Sequence, residues 1–366
     1  MSALPVEPQP AGAAASGSEL LLAEIREQPA AWRRLLAREP EIAALGRRLA
    51  DAAPPLVRIA AHGTSDHAAA YATYALRLLC GWTAMRDSMS LPLSYDAPAA
   101  APGELAIGLS QSGETPDVVG WLEAAAAAGA TAVAVTNADG GASLARAADG
   151  VVPLCAGRER SIAATKTYTC TLAALALLGA HAAGGERGTA LAAALRETAD
   201  LAEAALPALE AAVVPVADVL ASTERLYAIA RGLELATAAE AALKLTEVAY
   251  LCAKALTATS MAHGPVAALD RAFPVWAVAG ADRTLPAVQE AVRRAREAGA
   301  PVIATGPAAA ALDGAAFALA TPAAPDPLLT PLLSILPAQL FARALALAKG
   351  IDPGAPRHLR KVTLAA

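Results

Sequence analysis

The sequence predicts an α/β fold with two similar halves, each built around a mostly parallel sheet. Its 366 residues are enough for about two domains of typical size. Short apolar runs alternate with long stretches of helical periodicity, as in successive βαβ units. The same alternation starts again about 170 residues further along the chain, which indicates an internal duplication.

The first half begins with an apolar run at 56–62, which predicts a strand, and a helical pattern from 63 to about 80 follows it. The other elements expected in this half are strands at 104–109, 131–135 and 151–154, a helix ending at about 128, and a helix over about 163–183.

The second half repeats three of these segments in the same order. The run at 226–232 matches the first strand and its glycine, and 274–279 matches the second strand. Residues 298–306 match 128–136 at one offset. The domains expected from this pattern are a disordered tail at 1–18, a first domain at 19–190, a second domain at 191–350 with 191–214 as its helical start, and a C-terminal tail at 351–366.

Composition disfavours several classes of protein. Hydrophobic residues make up 56% of the chain, but the longest apolar stretch, 328–348, contains two prolines and an arginine, which favours a buried or amphipathic helix over a membrane span. The net charge of −5, without a basic cluster, argues against nucleic-acid binding. The Pro/Ala/Gly-rich start, which lacks a basic segment, is expected to be a disordered tail rather than a signal peptide, and the four cysteines lack a CxxC spacing. A cytoplasmic protein that has no contact with membranes is therefore expected.

The sequence also lacks the usual signatures of bound cofactors. The five histidines share no metal-ligand spacing with cysteines or acidic residues, so no metal is predicted. No nicotinamide or flavin fingerprint occurs, so no organic cofactor is predicted either.

Two hydroxyl-rich turns follow the first two strands. They consist of Gly63, Thr64 and Ser65, and of Ser110, Gln111, Ser112, Gly113, Glu114 and Thr115. Ligands of parallel sheets bind beyond the carboxyl ends of the strands, where helix N-termini offer N–H groups to an anion. Serine and threonine are also common helix caps, so either turn alone fits a phosphate site or a pair of caps. Two such turns in one half favour the phosphate site, and the second half, with 280–285 at the matching place, lacks the hydroxyl cluster.

A predicted helix in the second half carries three charged residues on one face. Glu240, Lys244 and Glu247 are spaced at i, i+4 and i+7. A solvated row of salt bridges would have this spacing. The apolar residues around them instead favour a buried helix, and a buried charged stripe needs partners or a function.

At Ser110–Thr115 the sequence resembles the SIS (sugar isomerase) family, and the resemblance extends from about residue 20 to the end. It is similar in particular to the isomerase half of glucosamine-6-phosphate synthase and to stand-alone SIS-type glucosamine-6-phosphate deaminases. Six ordered segments carry it: 63–65, 110–115, 162–167, 240–247, 263–265 and 356–361. The fold it implies is two tandem SIS domains, each a doubly wound, mostly parallel five-stranded sheet flanked by helices.

The resemblance also implies roles for single residues. Ser65, Ser110, Gln111, Ser112 and Thr115 would hold the phosphate of a sugar phosphate, and Gly63 and Thr64 would belong to the same turn. Glu247 would move a proton between C1 and C2, His263 would help to open the ring from the partner subunit of a homodimer, and Lys361 would lie over the open-chain carbonyl. Lys244 and Glu240 would line the sugar pocket, and the backbone at Ile162, Ala163 and Ala164 would contact the sugar.

Two departures from the family pattern leave the substrate open. Residues 259–262 read Thr-Ser-Met-Ala where the synthase has Gly-Glu-Leu-Lys, so the acidic residue expected at Ser260 is missing. Ala164 replaces a serine of the synthase loop.

The expected reaction is that of an aminosugar-phosphate deaminase/isomerase, which turns glucosamine 6-phosphate into fructose 6-phosphate and ammonia. The sequence has no N-terminal cysteine of a glutaminase, and this suggests that ammonia is released rather than delivered. An aldose-ketose isomerase that releases no ammonia and a non-catalytic sugar-phosphate-binding regulator remain as alternatives.

Overall fold

The computed structural model describes residues 17–138, 140–359 and 361. Most of the tail predicted at 1–18 lies outside these residues, but Gly17 and Ser18 already belong to the first helix. Part of the C-terminal tail, at 360 and 362–366, also lies outside them.

Three helices precede the first sheet: α1 (Gly17–Arg26), α2 (Gln28–Leu36) and α3 (Glu39–Ala52). The first sheet contains β1 (Val57–Ala61), β2 (Ala84–Arg86), β3 (Leu105–Leu109), β4 (Thr131–Thr136) and β5 (Gly150–Pro153). Its helices are α4 (Gly63–Cys80), α5 (Ser90–Ser94), α6 (Pro116–Ala127), α7 (Ser143–Arg146) and α8 (Lys166–Ala182).

The long helix α9 (Arg187–Val219) leads to the second sheet, and the predicted domain boundary at 190/191 falls inside it. This sheet contains β6 (Arg225–Ala230), β7 (Cys252–Thr257), β8 (Val275–Val278), β9 (Val302–Gly306) and β10 (Phe317–Ala320). Its helices are α10 (Glu234–Ala249), α11 (Ala258–Met261), α12 (Leu285–Glu297), α13 (Thr330–Ser334) and α14 (Leu336–Ala348), with 3-10 turns at Pro265–Ala268, Ala309–Ala311 and Pro327–Leu329.

The two sheets share one topology. Their strand orders are β2-β1-β3-β4-β5 and β7-β6-β8-β9-β10, and all pairs of neighbouring strands are parallel. The prediction of two five-stranded, doubly wound halves is therefore confirmed. In each half the first strand lies beside the third and the order reverses there, which is the place where such sheets bind ligands.

Buried helices join the halves. Helix α8 is buried from Lys166 to Ala180 and packs on α3 and α4, while α10 packs on both α4 and α14. Contact between α4 and α10 brings the first turn of the first half beside the charged face of the second. The apolar stretch at 328–348 is divided between the end of a 3-10 turn, α13 and α14, and it is mostly buried inside the fold, as predicted.

Candidate active site

A cavity of about 460 Å³ lies at the carboxyl ends of β1 and β3. It is lined by residues of both halves and of the C-terminal tail: His62, Gly63, Thr64, Ser65, Leu109, Ser110, Gln111, Ser112, Thr115, Asp117, Ile162, Glu247, Leu359 and Lys361. The structure thus brings both hydroxyl-rich turns, Glu247 and Lys361 to one place.

The second turn forms a tight hydroxyl cluster at the end of β3. Ser110 Oγ lies 2.8 Å from Thr115 Oγ1 and 3.4 Å from Ser112 Oγ, and it also accepts a hydrogen bond from the Gly113 amide at 3.2 Å. Gly113 has a φ of 68°, and a Cβ at this position would lie 2.7 Å from the methyl group of Ala142. The turn therefore needs glycine for both its conformation and its packing.

The serines and threonines of the two turns are not the side-chain caps of the helices that follow. The N-cap residues are His62 in α4 and Thr115 in α6. In neither helix does the N-cap side chain accept a hydrogen bond from a backbone amide of the first turn. The N-termini of both helices adjoin the cavity, and helix N-termini favour anions. This geometry supports the phosphate-site interpretation over ordinary capping.

Thr64 differs from the other hydroxyl residues of the turns. Its Oγ1 donates a hydrogen bond to Glu240 Oε1 at 3.0 Å and accepts one from Lys244 Nζ at 3.3 Å. The Thr64 hydroxyl therefore joins the cavity wall to the charged face of α10. Thr64 belongs to a turn predicted to form the phosphate site, but Glu240 and Lys244 occupy its hydroxyl.

The charged face of α10 is buried rather than solvated. Lys244 is 2% exposed and its Nζ lies 2.7 Å from Glu247 Oε2 and 3.3 Å from Glu240 Oε1, while Glu240 is fully buried and pairs with His67 Nδ1 at 2.7 Å. Burial lowers the pKa of Lys244, but the two carboxylates outweigh it and hold that pKa above its usual value. Lys244 is thus a fixed ammonium group that positions Glu247.

Lys244 and Glu240 were expected to line the pocket, but neither belongs to its lining. Both side chains are buried. The side chains that reach the cavity from this region are those of Thr64 and Glu247. Glu247 retains about a quarter of its side-chain exposure and lines the cavity together with residues of the two turns.

The C-terminal tail is fixed over the cavity by a buried carboxylate that the sequence did not reveal. Lys361 Nζ lies 3.0 Å from Glu159 Oε2, and Glu159 is 4% exposed. Glu159 also accepts hydrogen bonds from the amides of Thr165 and Thr167 at 2.9 and 3.2 Å. Burial raises the pKa of Glu159, but the Lys361 ammonium and the hydrogen bonds from Thr167 and Thr165 outweigh it and keep that pKa below its usual value.

A second contact holds the tail closer to α10. The Arg357 amide donates a hydrogen bond to the Tyr250 hydroxyl at 2.8 Å, and the Arg357 guanidinium lies 4.7 Å from the centre of the Tyr250 ring. The tail is therefore attached to both halves of the protein.

The loop before α8 contributes one residue to the cavity wall. Ile162 lines the cavity, whereas Ala163 and Ala164 do not belong to its lining. Lys166, at the start of α8, is buried, donates to the Arg158 carbonyl at 2.9 Å and pairs with Glu27 at 2.7 Å. Lys166 therefore secures this loop against α2.

His263 lies outside this cavity. It is exposed in the link between α11 and the following 3-10 turn, and its amide donates to the Ser260 carbonyl at 3.0 Å. Its predicted place in a partner's site stays a prediction. The cavity does contain another histidine, His62, whose Nε2 lies 3.2 Å from Asp117 Oδ2. No motif in the sequence indicates this pair.

The SIS domain model matches this chain twice, at residues 57–180 and 219–349. The chain belongs to the SIS domain family. Each match contains one of the two sheets, so the internal duplication is a pair of SIS domains.

Among SIS relatives, the chain is 33% identical over 365 residues to a glutamine--fructose-6-phosphate aminotransferase of Gloeobacter violaceus. The alignment covers 93% of this chain but 58% of that protein, so the chain spans little more than half of its relative's length.

Two solved SIS structures cover nearly the whole fold. The C-terminal domain of a glucosamine-fructose-6-phosphate aminotransferase from Francisella tularensis superposes with a TM-score of 0.84 at 25% identity, covering 92% of this chain and 98% of that one. A putative phosphosugar isomerase from Silicibacter pomeroyi superposes with a TM-score of 0.79 at 30% identity, covering 91% and 99%.

Proposed function

We propose that this SIS protein is an aminosugar-phosphate deaminase/isomerase that converts glucosamine 6-phosphate into fructose 6-phosphate and ammonia. The observation that carries the proposal is the position of Glu247. Its carboxylate lines the same cavity as the hydroxyl turns and is held by the buried ammonium of Lys244 at 2.7 Å.

The residues that line the cavity suit two parts of such a substrate. The hydroxyls of Ser110, Ser112 and Thr115 and the N-termini of α4 and α6 suit the phosphate. Glu247 would then face the carbon chain. One carboxylate beside C1 and C2 can take a proton from one carbon and return it to the other, which interconverts aldose-type and ketose-type isomers.

Lys361 would complete the site from the tail. Its ammonium group is oriented by Glu159 and lines the same cavity as Glu247, which suits stabilisation of the oxygen that becomes negatively charged during proton transfer. His263 would open the sugar ring from the partner subunit of a homodimer. After the proton shift, water would hydrolyse the resulting imine and release ammonia, and dilute ammonia favours this direction by mass action.

The test is a panel of glucosamine, galactosamine and N-acetylglucosamine 6-phosphates, with ammonia and fructose 6-phosphate both measured. Stoichiometric ammonia and fructose 6-phosphate from glucosamine 6-phosphate are expected. The absence of turnover with every hexosamine 6-phosphate would contradict the proposal.

The similarity to the putative phosphosugar isomerase favours one second candidate, an aldose-ketose isomerase that releases no ammonia. Turnover of fructose 6-phosphate to an aldose phosphate, without activity on any aminosugar, would identify this function. Binding of these ligands without any turnover would instead indicate a regulator.

A further inference from the structure

We propose that His62 binds the phosphate group of the substrate as an imidazolium, so that the site selects a phosphate dianion and takes up a proton on binding. This inference rests on the proposed function, because it assigns the hydroxyl-rich turns to the phosphate. It adds a charged residue to a phosphate site whose other donors are neutral.

The position of His62 is set by the fold. It lies between the last residue of β1, Ala61, and the first residue of α4, Gly63, and it lines the cavity together with the hydroxyl cluster. Its Nε2 lies 3.2 Å from Oδ2 of Asp117, which is in the first turn of α6. The His62–Asp117 pair thus links the N-terminus of α4 to the N-terminus of α6, and both adjoin the cavity.

Besides the Lys361 ammonium, the charged residues around the cavity leave room for a second positively charged group. Of the described lining residues, the titratable ones are His62, Asp117, Glu247 and Lys361, and Lys361 is paired with Glu159. The acidic residue of the first turn of α4, Asp66, pairs with Arg86 at 2.7 Å, and the neighbouring His67 pairs with Glu240.

A phosphate monoester carries close to two negative charges at neutral pH. Imidazole is the side chain that ordinarily changes its charge in the same range, and a carboxylate beside it favours the charged form. Asp117 thus orients the ring of His62. The incoming dianion brings further negative charge beside the ring, so binding favours the imidazolium.

The test measures proton uptake rather than turnover. Fructose 6-phosphate and inorganic phosphate are titrated into the full chain by calorimetry at neutral pH, in two buffers that differ in ionisation enthalpy. Part of each ligand is monoanionic at neutral pH and releases a proton when it binds as the dianion, so the two proteins are compared with each other. The wild type should take up a larger fraction of a proton per ligand than His62→Gln. His62→Gln should also bind roughly tenfold more weakly, the effect of one lost charge-assisted hydrogen bond.

A further variant separates a charged ligand from a structural residue. His62→Lys should restore most of the affinity but keep the proton balance of His62→Gln, because its charge is fixed. In steady-state assays, His62→Gln should raise KM by about the same factor as the binding constant and change kcat by no more than about twofold.

Equal affinity and equal proton uptake in the wild type and His62→Gln would overturn the inference. So would a fall in kcat at unchanged KM, which would place His62 at the reacting carbons. Proton-linked phosphate binding without turnover of any hexosamine phosphate would refute the proposed function alone. A wild type that binds neither ligand would refute both.

Discussion

The wild type should lose stability as the pH rises, and replacing Glu234 with glutamine should remove this loss. Glu234 is 2% exposed in the first turn of α10. Burial raises the pKa of its carboxyl group from 4.5 to about 7, against hydrogen bonds from Thr237 at 2.6 Å and Ser334 at 2.8 Å that lower it. Asp282 raises that pKa further.

The size and the sign of the effect follow from this pKa. A difference of about 2.5 units between the unfolded and folded chains corresponds to roughly 3 kcal/mol of unfolding free energy. The folded protein binds this proton more tightly than the unfolded chain. The contribution of Glu234 to the free energy of unfolding therefore falls as the pH rises from about 4.5 to about 7, and this contribution is constant above that range.

The assay is urea denaturation at pH 5 and pH 8. The wild type should lose roughly 2–3 kcal/mol more than Glu234→Gln between these two values. Glu290→Gln is the control, because Arg293 and Arg294 hold the pKa of this exposed carboxyl at about 2, below the tested range. An equal pH 5 to pH 8 difference in the wild type and Glu234→Gln would refute the reasoning.

Three other predictions concern the site. Glu159→Gln should loosen the tail and raise KM, because Lys361 loses its buried partner. Amide hydrogen exchange of residues 351–359 should become faster, and an unchanged exchange rate would contradict this. Lys244→Met should destabilise the protein by about 3–5 kcal/mol in urea, since it leaves the buried carboxylate of Glu240 and the partly buried one of Glu247 without their ammonium partner. A cost below about 1 kcal/mol would count against that arrangement. Gly113→Ala should be more destabilising than Gly63→Ala in the same measurement, because both have positive φ but only the first also brings a Cβ within 2.7 Å of another side chain; equal costs would argue against the packing explanation.

Much of the fold was accessible from the sequence because its signals are local. The runs at 56–62 and 104–109 became β1 and β3, and the repeat of such runs revealed the second half. The edge strand Ala84–Arg86 was missed because three partly exposed residues carry no periodicity. The helices α1 to α3 were not predicted, although their apolar faces are buried in the fold.

The site was predictable only as far as its motifs reach. The two hydroxyl turns and Glu247 lie together as the family pattern implies. The remaining contacts join residues far apart in the chain. Glu159 and Lys361 are 202 residues apart, and Thr64 and Glu240 are 176 apart. No local pattern shows that a glutamate before a loop will become the buried partner of the tail.

The most direct test of the central claim is deuterium exchange into fructose 6-phosphate in heavy water, followed by nuclear magnetic resonance. If Glu247 moves a proton between C1 and C2, the wild type should introduce deuterium at C1 of fructose 6-phosphate, the carbon of this pair that carries hydrogen, even where little net product forms. Glu247→Gln should bind fructose 6-phosphate with an affinity close to that of the wild type and exchange it at least about a hundredfold more slowly, the usual contribution of a general base. Wild-type rates of exchange in Glu247→Gln would contradict the account, and so would wild-type protein that binds the ligand without any exchange.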